Sequence, residues 1–125
     1  MGKILGLIYT GIIIFTVFFQ LGLILGKPWG EYTLGGVYKG SLPTKYRVAP
    51  AISIIVLSVL VLYVLQHVKL LEIIISFPTL FSWFVIGFHI LSFVLNSITQ
   101  SKKERRLWQP LTGILLVTII LIHLI

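Results

Sequence analysis

Polar side chains inside long apolar stretches are the residues of this sequence that could carry chemistry. In one such stretch Ser82, His89 and Asn96 recur at intervals of seven residues, with Ser92 near the same stripe. Seven residues are close to two turns of an α-helix, so these groups share one helix face. Because polar groups are costly in a bilayer, we expect that face to point towards other helices rather than towards lipid.

Two further polar residues, Gln20 and Ser53, fall near the ends of other apolar stretches. The helical rise places Gln20 about 8 Å from the end of its stretch and His89 about 14 Å from the end of its own. The sequence therefore predicts a small polar cavity in one half of a helical bundle, lined by Gln20, Ser53, His89, Ser92 and Asn96, in which His89 would be sensitive to protons near neutral pH. The competing interpretation is ordinary hydrogen bonding between helices, worth about 0.6 kcal/mol per bond in membranes.

Catalytic, metal and cofactor sites are not predicted. The chain has no cysteine, and its only acids are Glu31, Glu72 and Glu104, of which Glu72 is expected on the opposite side of the membrane from the other two. There is no nucleophile elbow and no phosphate-binding loop. His67 and His123 are expected near the outer end, and His89 is expected well inside, where it cannot share a metal or haem with either. A metal site usually needs three or four ligands. We therefore expect a protein that is not an enzyme and holds no cofactor.

The elements that must position these residues are membrane-spanning helices. The chain is 58% hydrophobic and only 10% charged, whereas soluble domains are about a quarter charged. Four apolar stretches predict spans over about residues 4–25, 48–65, 73–98 and 107–125. The expected fold class is an all-α membrane protein, a four-transmembrane-helix bundle in which residues 1–125 form one integral membrane domain. Pro78 is an alternative start for the third span, and the first span is expected to be retained rather than cleaved as a signal peptide.

The basic residues give these predicted spans a direction. Eight of the ten lie in the first and third loops, at Lys27, Lys39, Lys45, Arg47, Lys102, Lys103, Arg105 and Arg106. An excess of Lys and Arg in short loops marks the cytoplasmic face, so we expect both loops inside and both termini outside. The net charge of +7 then serves orientation rather than nucleic-acid binding. The cluster in the third loop also predicts contact with anionic lipid of the inner leaflet or with an acidic partner.

The first loop, residues 26–47, is the least lipid-like segment of the chain. Residues 31–34 and 37–39 are typical of two short extended arms, and the two glycines between them supply the positive φ angles of a tight turn. The sequence therefore predicts a structured cytoplasmic loop with a short β-hairpin over residues 31–39, built on Trp29, Tyr32, Gly35, Gly36 and Tyr38. An irregular interfacial loop is the alternative.

Small residues at intervals of four occur in the first two spans. Gly22 and Gly26 form one pair, and Ala49 and Ser53 form another at a similar depth. Such pairs let helix backbones approach closely. They predict close packing of the first two spans within one chain, with dimerisation as the alternative.

Two patterns of glycine, proline and charged residues stand out in the loops of this sequence. The first comprises Gly26-Lys27-Pro28-Trp29-Gly30, Gly35-Gly36, Gly40, Leu42-Pro43 and Arg47, and the second comprises Asn96, Ser101, Glu104, Arg105 and Pro110. Together they resemble a family of small four-span bacterial membrane proteins of uncharacterised function. The resemblance covers nearly the whole chain and implies a bacterial inner-membrane location and a shared fold. It implies no activity.

These patterns favour a small polytopic inner-membrane protein without catalytic activity. We expect an accessory, scaffold or immunity-type component that acts through contacts with the lipid bilayer, with a second copy or with a partner membrane protein. The alternative is a minimal, dimeric transporter or channel with Gln20, Ser53, His89 and Asn96 along its route. The predicted spans contain no Asp, Glu, Lys or Arg in their apolar interiors, which argues against ion-coupled transport.

Overall fold

A computed structural model describes residues 1–72 and 75–125 as a bundle of four long helices. Helix α1 spans Gly2–Ile24, α2 spans Val48–His67, α3 spans Thr79–Ile98 and α4 spans Lys102–Leu124. Each is long and apolar enough to cross a membrane, which is the architecture of a multi-pass membrane protein. The described residues contain no strand. The predicted fold class, an all-α bundle of four membrane-spanning helices, is confirmed at this level.

Helix α3 begins later than the predicted residue 73. Residues 73 and 74 lie outside the described residues, and residues 75–78 are not helical. Pro78 precedes the first helical residue with an extended backbone, at φ −60° and ψ 152°. Proline has no N–H to donate and disfavours helical geometry in the residue before it, so the helix begins after it. Gln66 of α2 holds Ile75, in the segment before α3. Its side-chain carbonyl accepts from the Ile75 N–H at 2.8 Å, and its amide NH₂ donates to the Ile75 carbonyl at 2.9 Å.

Helix α4 begins earlier than the predicted residue 107, and the charged cluster at 102–106 is helix rather than loop. The Ser101 side chain caps it by accepting a hydrogen bond from the Glu104 N–H at 3.1 Å. Ser-x-x-Glu is a sequence signature of a helix N-terminus. Pro110 lies within α4, where it removes the backbone bond that would reach back one turn to Arg106.

The helices pack in pairs. Helix α1 packs against α2 and α4, and α3 packs against α4. The most buried part of the core comprises Tyr9, Ile13, Leu60, Val64, Val85 and Ile119. The predicted small-residue contact between α1 and α2 is wrong at Gly22, because a Cβ there would overlap the ring of Trp29 from the first loop.

The two ends of the bundle differ in charge. The loop end holds the first loop (residues 25–47), the C-termini of α1 and α3 and the N-termini of α2 and α4. Eight of the ten basic residues lie there. The far end holds the opposite helix termini, together with Lys3 and Lys69.

Candidate functional site

A groove of about 530 Å³ enters the bundle at the loop end. Helices α2 and α3 flank it, with α1 and α4 behind, and Leu34 of the first loop is among its lining residues. Because α2 packs on α1 while α3 packs on α4, each flanking helix is held by a different neighbour. The two flanking helices are joined near the far end, where the hydroxyls of Tyr63 and Ser82 lie 2.8 Å apart.

All five residues predicted to line a polar cavity lie around this groove. Gln20 comes from α1, Ser53 from α2, and His89, Ser92 and Asn96 from α3. Two further polar residues, Glu104 and Thr112, come from α4, and the sequence analysis did not place Glu104 there. Glu104 reaches the groove because α4 starts early enough to include it. Ser82, on the same stripe of α3 as His89, lies instead at the far end.

The polar groups of the groove differ in whether the protein satisfies them. The Asn96 amide donates to the Ser92 carbonyl at 2.7 Å, and the Thr112 hydroxyl donates to the Trp108 carbonyl at 2.6 Å. The side chains of Gln20, Ser53 and Ser92 are partly exposed and have no hydrogen-bond partner within the part of the chain that the structure describes. Buried or lipid-facing polar groups are normally paired, so these three have capacity for water or a bound molecule.

His89 lies at the deep end of the groove, where it is bonded to another helix. Its Nε2 is 2.8 Å from the hydroxyl of Tyr9 on α1. The two rings meet edge to face, with centroids 5.3 Å apart, and both residues are almost completely buried. This contact joins α1 to α3. The contact of Tyr9 with His89 could not be predicted from the sequence, because one tyrosine in an apolar helix does not reveal which residue it faces.

The first loop folds onto α1 and α4. Trp29 packs over Gly22 and stacks on Phe19, with ring centroids 5.9 Å apart. Trp108 of α4 donates its indole N–H to the Tyr32 carbonyl at 2.8 Å. Trp29, Trp108 and Tyr32 therefore dock the loop on α1 and α4.

The β-hairpin predicted over residues 31–39 is not formed. Two short 3₁₀ turns, at residues 30–32 and 34–36, occupy its place. Gly35 and Gly36 have the expected positive φ angles, 71° and 75°. The backbone groups that would pair two extended arms are bonded to α4 instead. The Glu31 carbonyl accepts from the Ser101 hydroxyl at 2.7 Å, and the Gly35 N–H donates to the Glu104 carboxylate at 2.9 Å.

The remaining loop residues named by the sequence analysis tie the loop to itself and to α2. The ring of Tyr38 packs on Tyr46, with centroids 4.7 Å apart. The Arg47 guanidinium donates to the Leu42 carbonyl at 3.0 Å and, more weakly, to the Ile24 carbonyl at 3.4 Å. Arg47 thereby links the end of α1, the loop and the start of α2.

The four basic residues at the start of α4 have different surroundings. Lys103 forms an ion pair with the Glu31 carboxylate at 2.9 Å, and Arg105 donates to the Thr99 carbonyl at 2.9 Å. The hydrogen bond and charge of Lys103 lower the pKa of Glu31. Lys102 and Arg106 are exposed. Two of the four residues thus make contacts within the protein, and two face outwards.

A second polar cluster lies at the far end. His123 donates its Nδ1–H to the Ile119 carbonyl at 2.8 Å, so in the neutral ring Nε2 accepts from the Tyr63 hydroxyl at 2.7 Å. Tyr63 also contacts Ser82, so the cluster joins α2, α3 and α4. His67, the last residue of α2, lies with its ring centroid 5.0 Å from that of His123. Over residues 1–72 and 75–125, no three His or acidic side chains converge as metal ligands would.

A comparison with known protein families, curated proteins and solved structures finds no match to this chain. The resemblance to a family of small bacterial membrane proteins therefore stays a prediction. Several residues of its two patterns contact one another in the structure. Gly30 donates its N–H to the Gly40 carbonyl at 2.8 Å, and Ser101 and Glu104 of the second pattern bond to the loop that carries the first.

Proposed function

We propose that this chain is a small non-enzymatic accessory protein of the bacterial inner membrane that acts by binding a molecule in its groove. The observation that carries the proposal is a set of unpaired polar side chains, Gln20, Ser53 and Ser92, set among apolar walls at the loop end. Clefts of this kind, mostly apolar with a few polar groups, are typical of ligand sites.

The absence of catalysis is supported by how the reactive groups of the groove are used. The imidazole of His89 is bonded to Tyr9, and the carboxylate of Glu104 is bonded to the backbone of Gly35. In this structure both groups hold helices or the loop in place.

The proposed orientation puts the loop end in the cytoplasm and both termini outside. It is supported by the eight basic residues of the loop end against two at the far end. Lys102 and Arg106, which are exposed, are the best placed for anionic lipid of the inner leaflet. Each basic residue near such a surface gains about 1 kcal/mol.

The orientation can be measured with single cysteines, since the chain has none of its own. Lys69→Cys at the far end should react with a membrane-impermeant maleimide in spheroplasts. Lys39→Cys in the first loop should react only after lysis. The reverse pattern would overturn the orientation.

The binding function can be tested with a photoreactive amino acid placed at position 53 and, as a matched control, at position 58. Both serines are on α2, but Ser58 is exposed, and its hydroxyl bonds only the Ile54 carbonyl of its own helix. After irradiation in membranes, position 53 should give a defined adduct that position 58 does not. Equal or absent adducts at the two positions would contradict the proposal.

The second candidate is a minimal dimeric transporter or channel. It is favoured by the presence of polar groups on both sides of an apolar core, with the groove at one end and the Tyr63 cluster at the other. The Tyr9–His89 pair lies at the boundary between groove and core. If proteoliposomes show flux of a solute, and if His89→Ala changes the rate of that flux, transport is favoured. If no flux is found, the accessory function is favoured.

A further inference from the structure

We infer that the groove binds an uncharged amphiphile, a lipid whose head carries hydroxyl or amide groups and whose tail is a single hydrocarbon chain. This inference rests on the proposed binding function and names the chemistry of the bound molecule. It draws on the charge of the lining, its hydrogen-bonding groups, their order in depth and the dimensions of the groove.

The charge of the lining disfavours a charged head. Among the described residues that line the groove there is no Lys or Arg. Glu104 is the acidic residue present; the residue as a whole is only 9% exposed, and its carboxylate already accepts from the Gly35 N–H. An anionic head would meet this carboxylate with no cation to offset it. A cationic head would compete with a bond that holds the first loop in place.

The unpaired groups are those that recognise hydroxyls and amides. Gln20 offers two N–H donors and a carbonyl acceptor, and Ser53 and Ser92 each offer a hydroxyl that can donate and accept. The side-chain carbonyl of Asn96 adds an acceptor, since only its NH₂ group is used in the bond to Ser92. These groups come from three helices and surround the groove, so a head with several hydroxyls could bond to more than one of them.

The unpaired polar groups of the groove lie nearer the loop end than its inner apolar residues, as the head and the tail of an amphiphile require. Counted along the helices from the loop end, Asn96 lies about 3 Å in, Ser53 about 8 Å and His89 about 14 Å. Leu57 and Phe88 line the inner part of the groove, about 14–15 Å in, beside His89, whose imidazole is already bonded to α1. An amphiphile whose head lies at the loop end and whose tail points to the bilayer centre would contact both the polar outer part and the apolar inner part of the groove.

The dimensions favour a single chain over a protein helix. The groove volume, about 530 Å³, falls within the range of about 300–1,000 Å³ found for small-molecule sites. One turn of a helix about 10 Å across occupies on the order of 400 Å³, so the groove would take up little more than one turn of a membrane-spanning helix, whereas a single hydrocarbon chain can lie within it. Ile52 and Leu95, which are 55% and 53% exposed, flank the groove on α2 and α3 and present an apolar edge to surrounding lipid.

The inference is tested with three photoreactive probes that carry hydrocarbon chains of the same length and differ in the head: a monoacylglycerol, a lysophosphatidylglycerol and an alkyl trimethylammonium. Each is titrated against the purified full chain in mild detergent, and the labelled peptides are mapped by mass spectrometry. The monoacylglycerol probe should label groove residues of α2 and α3 at about tenfold lower concentration than either charged probe. Equal labelling by all three heads, or preference for a charged head, would overturn the inference.

Two variants locate the site. Ser53→Leu should weaken monoacylglycerol labelling about tenfold, whereas Ser58→Leu, the same change on the lipid-facing side of α2, should leave it unchanged. If Ser53→Leu does not fold, Gln20→Met removes an amide from α1, at the back of the groove, and should have the same effect. Labelling that neither groove variant lowers would overturn the site.

The outcome also separates this inference from the function on which it rests. If photoreactive position 53 forms adducts with a protein or with a charged lipid, the binding function stands and the uncharged amphiphile is excluded. If position 53 forms no specific adduct and no probe labels the groove, both are excluded.

Discussion

Helices α2 and α3 carry polar residues towards each other at both ends of the bundle, with opposite results. At the far end the Tyr63 hydroxyl is bonded to Ser82 and to His123, so three helices share one network. At the loop end Ser53 and Ser92 line the same groove, and neither side chain is bonded within the described chain. The same residue types are structural in one place and available for binding in the other.

The first loop accounts for this difference. It docks on α1 and α4 through Trp29 and Trp108, and Leu34 of its second turn lines the groove. Arg47 then bonds the loop to the start of α2. We interpret the loop as a spacer that keeps the loop-end half of α2 away from α3, while Tyr63 holds their other halves together.

A steric clash within the first loop should have the largest effect on the stability of the protein. In Gly30→Ala the new Cβ would overlap the backbone carbonyl oxygens of Tyr38 and Gly40, which cannot move like a side chain. We expect a loss of about 3 kcal/mol in the free energy of unfolding, at the upper end for overpacking. Denaturation in detergent monitored by tryptophan fluorescence measures it.

Gly11→Ala is the matched control, because a Cβ at Gly11 meets no atom within 4 Å. It should be neutral or stabilising by up to about 1 kcal/mol, since alanine is the better helix former. Spin labels on the loop-end halves of α2 and α3 should move closer in Gly30→Ala only. An unchanged distance would contradict the role of the loop as a spacer.

The bond at the far end is tested by a double-mutant cycle. Tyr63→Phe should cost about 1–3 kcal/mol, because it leaves both Ser82 and His123 without their partner. When it is combined with Ser82→Ala, the coupling energy should be about 0.6–1.7 kcal/mol, the range found for hydrogen bonds between membrane helices. A coupling energy of zero would mean that this contact does not hold α2 to α3.

The sequence predicted the helices well because four apolar stretches leave little choice in a chain this short. The five polar residues predicted to lie together do line one groove, since helical phase and distance from a helix end are simple functions of position. The sequence could not predict the bonds of the first loop. Gly35 was correctly expected at positive φ, but its N–H is bonded to Glu104, which lies 69 positions further along the chain.

The start of α4 was missed for a different reason. The charged run was interpreted as a loop because charge was taken to mark the end of the membrane, but a helix can continue into the interface. Ser101 and Glu104 carry the capping signature that would have placed the start correctly. Once α4 is lengthened by that turn, Glu104 becomes a candidate for the groove from sequence alone.

Ser101 connects the spacer to α4, so its loss should have an intermediate effect. Its hydroxyl accepts from the Glu104 N–H and donates to the Glu31 carbonyl. Ser101→Ala should cost about 1–2 kcal/mol in unfolding free energy, as for other helix caps. It should also raise the rate at which trypsin cuts after Lys39. Ser97→Ala, which removes a bond to Phe93 within the same helix, should leave the cutting rate unchanged.

The ion pair of Glu31 and Lys103 should contribute less, and only over part of the pH range. Lys103 lowers the pKa of Glu31, so the folded state favours the ionised carboxylate. The contribution is fully present above the ordinary glutamate pKa and is lost as the pH falls through the lowered value. The stability difference between wild type and Glu31→Gln should therefore be present at neutral pH in low salt and vanish in acid. A difference that persists in acid would exclude the ion pair as its cause.

The smallest effect on stability is expected when the serines of the groove are changed. This effect decides whether the loop end differs from the bonded far end. Because neither Ser53 nor Ser92 has a bonded side chain in the described structure, Ser53→Ala and Ser92→Ala should each shift the unfolding free energy by less than about 0.5 kcal/mol. Their double-mutant cycle should give no coupling. A coupling like that of Tyr63 with Ser82 would mean that the groove closes in solution and that its hydroxyls satisfy each other. No coupling, together with loss of probe labelling, means that these groups are held open for a ligand at no gain in stability.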